Sequence, residues 1–225
     1  MRALDLDRVV LHGWSMGGLV SVLAADHAAE GIVGLVLTAP TLPWRRTSAV
    51  DALGWATIGR LAVLVGVPVV RLVLRLAARP LLDVKLAAVT DLGARTGSRP
   101  DVFGGDPRRL SPDLTAVWRE DLRAVRAHPE RLPGAATAFA SALWAMFIDQ
   151  RPTLEVLDRL DVPTLLLWGS DDPLVDGATL EGHARIRRWT TSVCDGVGHV
   201  LPVEVPDAYT AAVADWLDDA RVRGR

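Results

Sequence analysis

Three side chains of this 225-residue chain could together perform one chemistry: Ser15, Asp172 and His199. A serine hydroxyl is a poor nucleophile at neutral pH until a base removes its proton. An imidazole does this well when a carboxylate fixes its tautomer and stabilises the imidazolium. Ser15 lies in Gly13-Trp14-Ser15-Met16-Gly17, directly after the apolar run Val9-Val10-Leu11 and before the helix-like Leu19–Ala25. Gly-x-Ser-x-Gly between a strand and a helix raises the serine on a sharp turn. Glycine at 13 and 17 would keep β-carbons out of that turn, and Gly18 would let the helix approach the strand. At the helix N-terminus, free N–H groups favour developing negative charge, so the Met16 N–H is the expected oxyanion donor.

The other two residues also follow apolar strands. Leu165-Leu166-Leu167-Trp168 runs into Gly169-Ser170-Asp171-Asp172-Pro173, and a further strand, 190–194, runs into Asp195-Gly196-Val197-Gly198-His199. Working residues of open α/β sheets gather at the carboxyl ends of strands. From the residues alone, Asp171, Asp172 and Asp176 all compete for the acid. His12 reads as a packed or pocket-edge residue, and His27, His128 and His183 read as solvated.

These segments, together with the Ser…Asp…His order, resemble the α/β-hydrolase family. The resemblance implies Ser15 as nucleophile, His199 as general base and acid, and Asp172, three residues after the turn glycine, as the acid that orients it. Epoxide hydrolases and haloalkane dehalogenases of that fold carry aspartate at the nucleophile position. Serine therefore implies acyl transfer, as ester, lipid-ester, thioester or amide hydrolysis or cleavage of an activated C–C bond, with no metal or organic cofactor. Pocket candidates are Trp14, Pro40, Trp44, Leu174 and Val200. The family domain begins with strands and helices ahead of the elbow, and one of their loops supplies a second oxyanion donor. Only residues 1–7 precede the elbow strand here, so the chain reads as a partial α/β-hydrolase fold lacking its N-terminal third. A misassigned start, pairing through the open sheet edge with another chain or a second copy, and a degenerate non-catalytic binding module would each account for this.

The elements that must position these residues follow from the hydropathy pattern. Residues 1–7 look like a helix end. Strand 8–12, helix 17–29 and the apolar run 32–37 form a βαβ unit of parallel strands covered on both faces. Residues 41–160 carry no strand pattern; helices are expected at 49–65, 68–79, 81–92, from the Ser111-Pro112-Asp113 start to about 127, and at 134–148, with a loop over 95–112. This divides the chain into a first core part (1–40), a helical cap (41–160) and a second core part (161–225), with about four parallel strands. The last region holds strand 162–168, helix 177–187, strand 190–194 and a closing helix, 205–220.

Composition narrows the partners. Half the residues are hydrophobic, which suffices for a substantial core. A net charge of −2 argues against nucleic acid. Cys194 is the single cysteine, so no intramolecular disulfide forms. No His/Cys cluster has metal-ligand spacing. The N-terminus does not read as a signal peptide, and a cytoplasmic protein is the default expectation. The most apolar stretch, 61–82, is interrupted by Arg71, Arg75 and Arg79 at spacing four. It reads as a cap helix packed on the site rather than a membrane span, with contact to a lipid interface as the alternative.

Overall fold

A computed structural model describes residues 5–28, 31–44, 48–91, 105–106, 109–110 and 112–219. The sheet consists of β1 (Val9–Trp14), β2 (Ile32–Thr38), β3 (Thr164–Gly169) and β4 (Thr190–Cys194), all parallel and in the order β1-β2-β3-β4. Helix α1 (Met16–His27) crosses from β1 to β2, and α7 (Gly177–Arg187) from β3 to β4. Between β2 and β3 lie α2 (Ala49–Gly54), α3 (Arg60–Asp91), α4 (Pro112–Ala127), α5 (Leu132–Leu143) and α6 (Arg151–Arg159). After β4 come the short α8 (Leu201–Glu204) and α9 (Pro206–Asp218).

The continuous apolar runs of β2 and β3 are explained by burial on both faces. Leu35, Leu37, Leu166 and Trp168 face α1, α6 and α7, packing with Val22, Leu157, Leu180 and Ala184. Val36, Leu165 and Leu167 face the other way, onto Leu201 and Trp216 of α8 and α9. Alternate residues of one strand thus feed two cores, and a slip of one residue would exchange them. Among the described residues, β1 pairs only with β2 and forms an edge of the sheet.

The helical region departs from expectation in two places. Helix α6 (Arg151–Arg159) has no counterpart among the expected helices, and α3 runs unbroken through residues 66–67, between the expected 49–65 and 68–79. The expected boundary near Pro80 is present as a kink that divides α3 in two. The backbone leaves helical values at Ala77 (φ −130°, ψ 18°), three residues before Pro80, which absorbs the proline's clash as a kink. Residues 5–7 form turns and bends rather than a helix end. The expected Ser111 cap and most of the 95–112 loop lie outside the described residues, as do residues 1–4 of the expected N-terminal helix end.

Candidate active site

Ser15 sits between β1 and α1 with φ 54° and ψ −122°, a conformation an L-residue holds only under constraint. The constraint is visible. Its N–H donates to the Thr38 carbonyl at 2.9 Å, and its own carbonyl accepts from Gly18 N–H and Thr41 N–H, both at 2.9 Å. The turn is thereby tied to the end of β2. A Cβ at Gly13 would collide with the Gly17 carbonyl, and one at Gly18 would lie 2.5 Å from the Pro40 Cβ. Gly17 itself faces open space, contrary to the expectation that its lack of a side chain is needed for packing. What Gly18 accommodates is the buried loop residue Pro40 after β2, more closely than the strand. Met16 opens α1, and its N–H, one of the first-turn groups that an α-helix leaves without an intrahelical partner, is placed to meet an anion.

At the end of β3, Asp172 is buried, with one carboxylate oxygen accepting from Leu174 N–H at 2.8 Å and the other from His199 Nδ1 at 2.7 Å. A carboxylate only accepts, so Nδ1 carries the proton and Nε2 is left as the basic nitrogen of neutral His199. The other acids are engaged elsewhere. Asp171 accepts from the exposed Ser170 hydroxyl, and Asp176 caps α7 by accepting from Thr179 N–H at 3.0 Å. Of the acids the sequence leaves open, Asp172 is the one hydrogen-bonded to the histidine.

Two further ties hold His199. The Trp14 Nε1–H donates to the His199 carbonyl at 3.0 Å, linking the residue before the serine to the histidine loop. Glu204, almost completely buried, accepts from Gly198 N–H at 3.0 Å and from Asp106 N–H at 2.9 Å. Sequence reading missed Glu204, because its partners lie six and 98 residues away and no spacing marks them. Trp14→Phe replaces the indole by a phenyl ring and deletes one hydrogen bond worth about 1 kcal/mol. The expected outcome is a melting temperature lowered by about 2–4 °C and labelling of Ser15 by a fluorophosphonate slowed by about fivefold.

The remaining pocket candidates divide. Pro40 and Val200 are buried, Leu174 is largely exposed, and the Trp44 ring packs edge-on against Phe147 at 5.1 Å, with Trp55 stacked on the same ring at 4.3 Å. This aromatic cluster fastens the inserted helices to the loop after β2. A cavity of about 770 Å³ lies elsewhere, between α3 and the start of α5, lined by Arg71, Arg75, Arg79, Pro129, Glu130 and Pro133 among others; Ser15, Asp172 and His199 are not part of it.

Two histidines differ from expectation. His12 is exposed on the edge strand, where its Nε2 lies 3.1 Å from the Thr38 hydroxyl and 2.7 Å from the Tyr209 hydroxyl. His183 is buried rather than solvated: its Nε2–H donates to the Pro43 carbonyl at 2.9 Å and its Nδ1 accepts from Arg187 at 3.1 Å. It thereby anchors the same loop that binds the Ser15 carbonyl through Thr41. Periodicity could have found it, since Leu180, His183 and Ala184 share the buried face of α7.

Burial pushes the His183 pKa down, against a smaller upward pull from the Pro43 carbonyl and with a downward push from Arg187. Desolvation lowers that of His12 as well. In both cases the unfolded chain takes up the proton more readily than the fold does. Their contribution to stability is therefore complete above the ordinary imidazole value of 6.5 and is lost as pH falls below it. Melting temperature should decline as pH is lowered through 6.5, and His183→Gln, whose amide can still donate to Pro43, should flatten that slope. An unchanged slope in differential scanning fluorimetry would remove His183 from the explanation.

Among the described residues, no group of three or more His, Cys, Asp or Glu is placed to hold a metal ion.

Comparison with known proteins came to the same region of fold space. A family model described as the alpha/beta hydrolase family matches residues 1–213. The alpha/beta hydrolase domain-containing protein aho-3 of Caenorhabditis elegans is 31% identical over 111 residues, which are 48% of this chain and 32% of that protein. The match thus spans about a third of the curated relative's length. Among solved structures, the epoxide hydrolase CorEH superimposes with a TM-score of 0.65 at 15% identity, covering 96% of this chain and 70% of that one. Est816, described as an N-acyl homoserine lactone degrading enzyme, gives 0.57 at 18% identity, over 95% and 69%. A thermophilic esterase from Thermogutta terrifontis gives 0.51 at 21% identity, over 98% and 68%. At such identities these likenesses carry the fold alone.

Proposed function

The chain belongs to the alpha/beta hydrolase family, and on that premise we propose that it is a serine hydrolase acting on an apolar ester or related acyl compound. The observation that carries this reading is the buried 2.7 Å hydrogen bond between His199 Nδ1 and the Asp172 carboxylate, opposite the Nε2 that a serine would need. Ser15 supplies the nucleophile from its constrained turn.

In this reading His199 Nε2 takes the Ser15 hydroxyl proton as Oγ attacks the substrate carbonyl carbon. The carbonyl π electrons move onto oxygen, and the resulting oxyanion receives the Met16 N–H at the start of α1. Collapse of the tetrahedral intermediate expels the alcohol, which leaves with the proton held on His199, and an acyl-Ser15 enzyme remains. Water then repeats the sequence and releases the acid. Asp172 keeps the proton on Nδ1 throughout and offsets the transient imidazolium charge. Serine rather than aspartate at the turn favours acyl transfer over epoxide opening: opening an epoxide on a serine oxygen would leave an ether that water does not cleave, whereas an acyl-serine ester is hydrolysed at its carbonyl carbon. The inserted helices 41–160 act as the cap, and its Trp and Leu content, with Pro40, Val200 and Leu174, favours an apolar acyl group.

Hydrolysis of p-nitrophenyl acetate, butyrate, octanoate and dodecanoate tests the reading. It requires turnover that disappears in Ser15→Ala and a kcat/KM that rises from acetyl towards a longer chain. Turnover equal in wild type and Ser15→Ala would remove serine hydrolysis. A preference for acetate would remove the apolar pocket.

A further inference from the structure

Helix α3 carries an apolar surface that the fold does not use. The stretch Ala52–Ala87 has a mean hydropathy of 2.1 in its most apolar window, yet only 6% of that window is buried. By length and composition it could cross a membrane. The topology argues against α3 crossing alone: the chain leaves β2 and returns to β3, and these two strands are hydrogen-bonded neighbours, so both ends of the insertion belong on one side. The further apolar stretch before β3, Pro129–Ile148 with Arg151–Arg159, is bent by 83°. Val65, Val69, Leu72, Val73 and Leu76 of α3 are all exposed and fall at spacings of four, three, one and three, which keep one face, and the exposed Leu61, Leu64 and Val70 extend the apolar surface to either side of it. Their exposures run from 45% at Val73 to 78% at Leu76. Leu74 and Ala78 lie on the opposite, inward side, towards α5, and line a cavity there whose rim also takes in the exposed Leu76. Arg75 and Arg79 are exposed at the boundary between the two faces, beside Arg71, and share that cavity with Glu130.

An apolar helix face flanked by arginines, with the fold packed against its back, matches a helix lying in a bilayer interface, its cations reaching anionic headgroups. We propose that α3 docks this protein onto an anionic lipid surface, with Leu72 and Leu76 entering the acyl boundary and Arg75 and Arg79 contacting phosphate headgroups. The proposal does not depend on the hydrolase reading, since binding is measured without turnover.

Flotation with vesicles of phosphatidylcholine and phosphatidylglycerol, two to one, tests it against vesicles of phosphatidylcholine alone. Expected is recovery with the anionic vesicles and about tenfold weaker partition onto neutral ones. Leu72→Asp/Leu76→Asp should abolish flotation, and Arg75→Ala/Arg79→Ala should reduce it to the neutral-vesicle level. Both variants change exposed positions, and circular dichroism verifies that they are folded. No flotation with either vesicle overturns the proposal, and equal flotation with both overturns the anionic recognition. Retention in the membrane after a carbonate wash would mean a spanning helix and overturns surface docking. So would a dimer in light scattering that Leu72→Asp/Leu76→Asp dissolves while vesicles are ignored.

Discussion

Asp172→Asn is expected to lower the rate of acylation by about four orders of magnitude while the fold survives. The reason lies in the two separate hydrogen bonds of the carboxylate. One oxygen accepts from Leu174 N–H at 2.8 Å and the other from His199 Nδ1 at 2.7 Å. Asparagine has one oxygen and one amide nitrogen. If the oxygen keeps Leu174, the amide N–H faces Nδ1 and forces it to accept, moving the imidazole proton to Nε2. That nitrogen then has no lone pair for the serine proton. Shape and volume hardly change, so the melting temperature should move little while pre-steady-state labelling slows. Asp171→Asn is the matched control: its partner is an exposed serine hydroxyl, and about a twofold change at most is expected. Equal effects at the two positions would contradict the assignment of the acid.

Gly169→Ala should do the opposite, destabilising the fold and lowering the activity with it. Gly169 ends β3 against the histidine loop, and an added β-carbon would fall inside the contact distance of the Val197 carbonyl and lie 2.6 Å from that of Gly198. Both obstacles are backbone. The loop is also fixed by Asp171 N–H to Val197 at 3.0 Å and by Gly196 N–H to the Ser170 hydroxyl at 2.8 Å. Neither side can yield without separating His199 from Asp172. Overpacking costs of about 3 kcal/mol, and thus a fall of about 6–12 °C in melting temperature, are expected. Gly182→Ala on α7, where a β-carbon meets nothing, should instead raise the melting temperature slightly, because alanine is the better helix former. Thermal melts of the pair separate crowding from a generic glycine effect.

The parts of this molecule that sequence could reveal are those whose cause is local. Val9–Trp14, Ile32–Thr38, Thr164–Gly169 and Thr190–Cys194 are legible because burial on both faces or adjacency to a glycine turn leaves an apolar or β-branched run. Ser15, Asp172 and His199 each follow such a strand, so parallel order alone brings these candidates to one end of the sheet. The break in α3 is legible because proline is a strong local breaker: Pro80 places it, and the backbone leaves helical values three residues earlier, at Ala77. Glu204, in contrast, is out of reach. Its partners, the N–H groups of Gly198 and Asp106, are backbone groups brought near only by the finished fold. Backbone carbonyls and N–H groups leave no trace in residue type.

The central claim is that Ser15 and His199 form a working nucleophile, and intact-mass spectrometry after incubation with a fluorophosphonate tests it most directly. The account predicts one covalent adduct on the wild-type protein, none on Ser15→Ala, and formation about ten-thousandfold slower on Asp172→Asn. Folded wild-type protein that acquires no adduct, or an adduct that persists in Ser15→Ala, would contradict it.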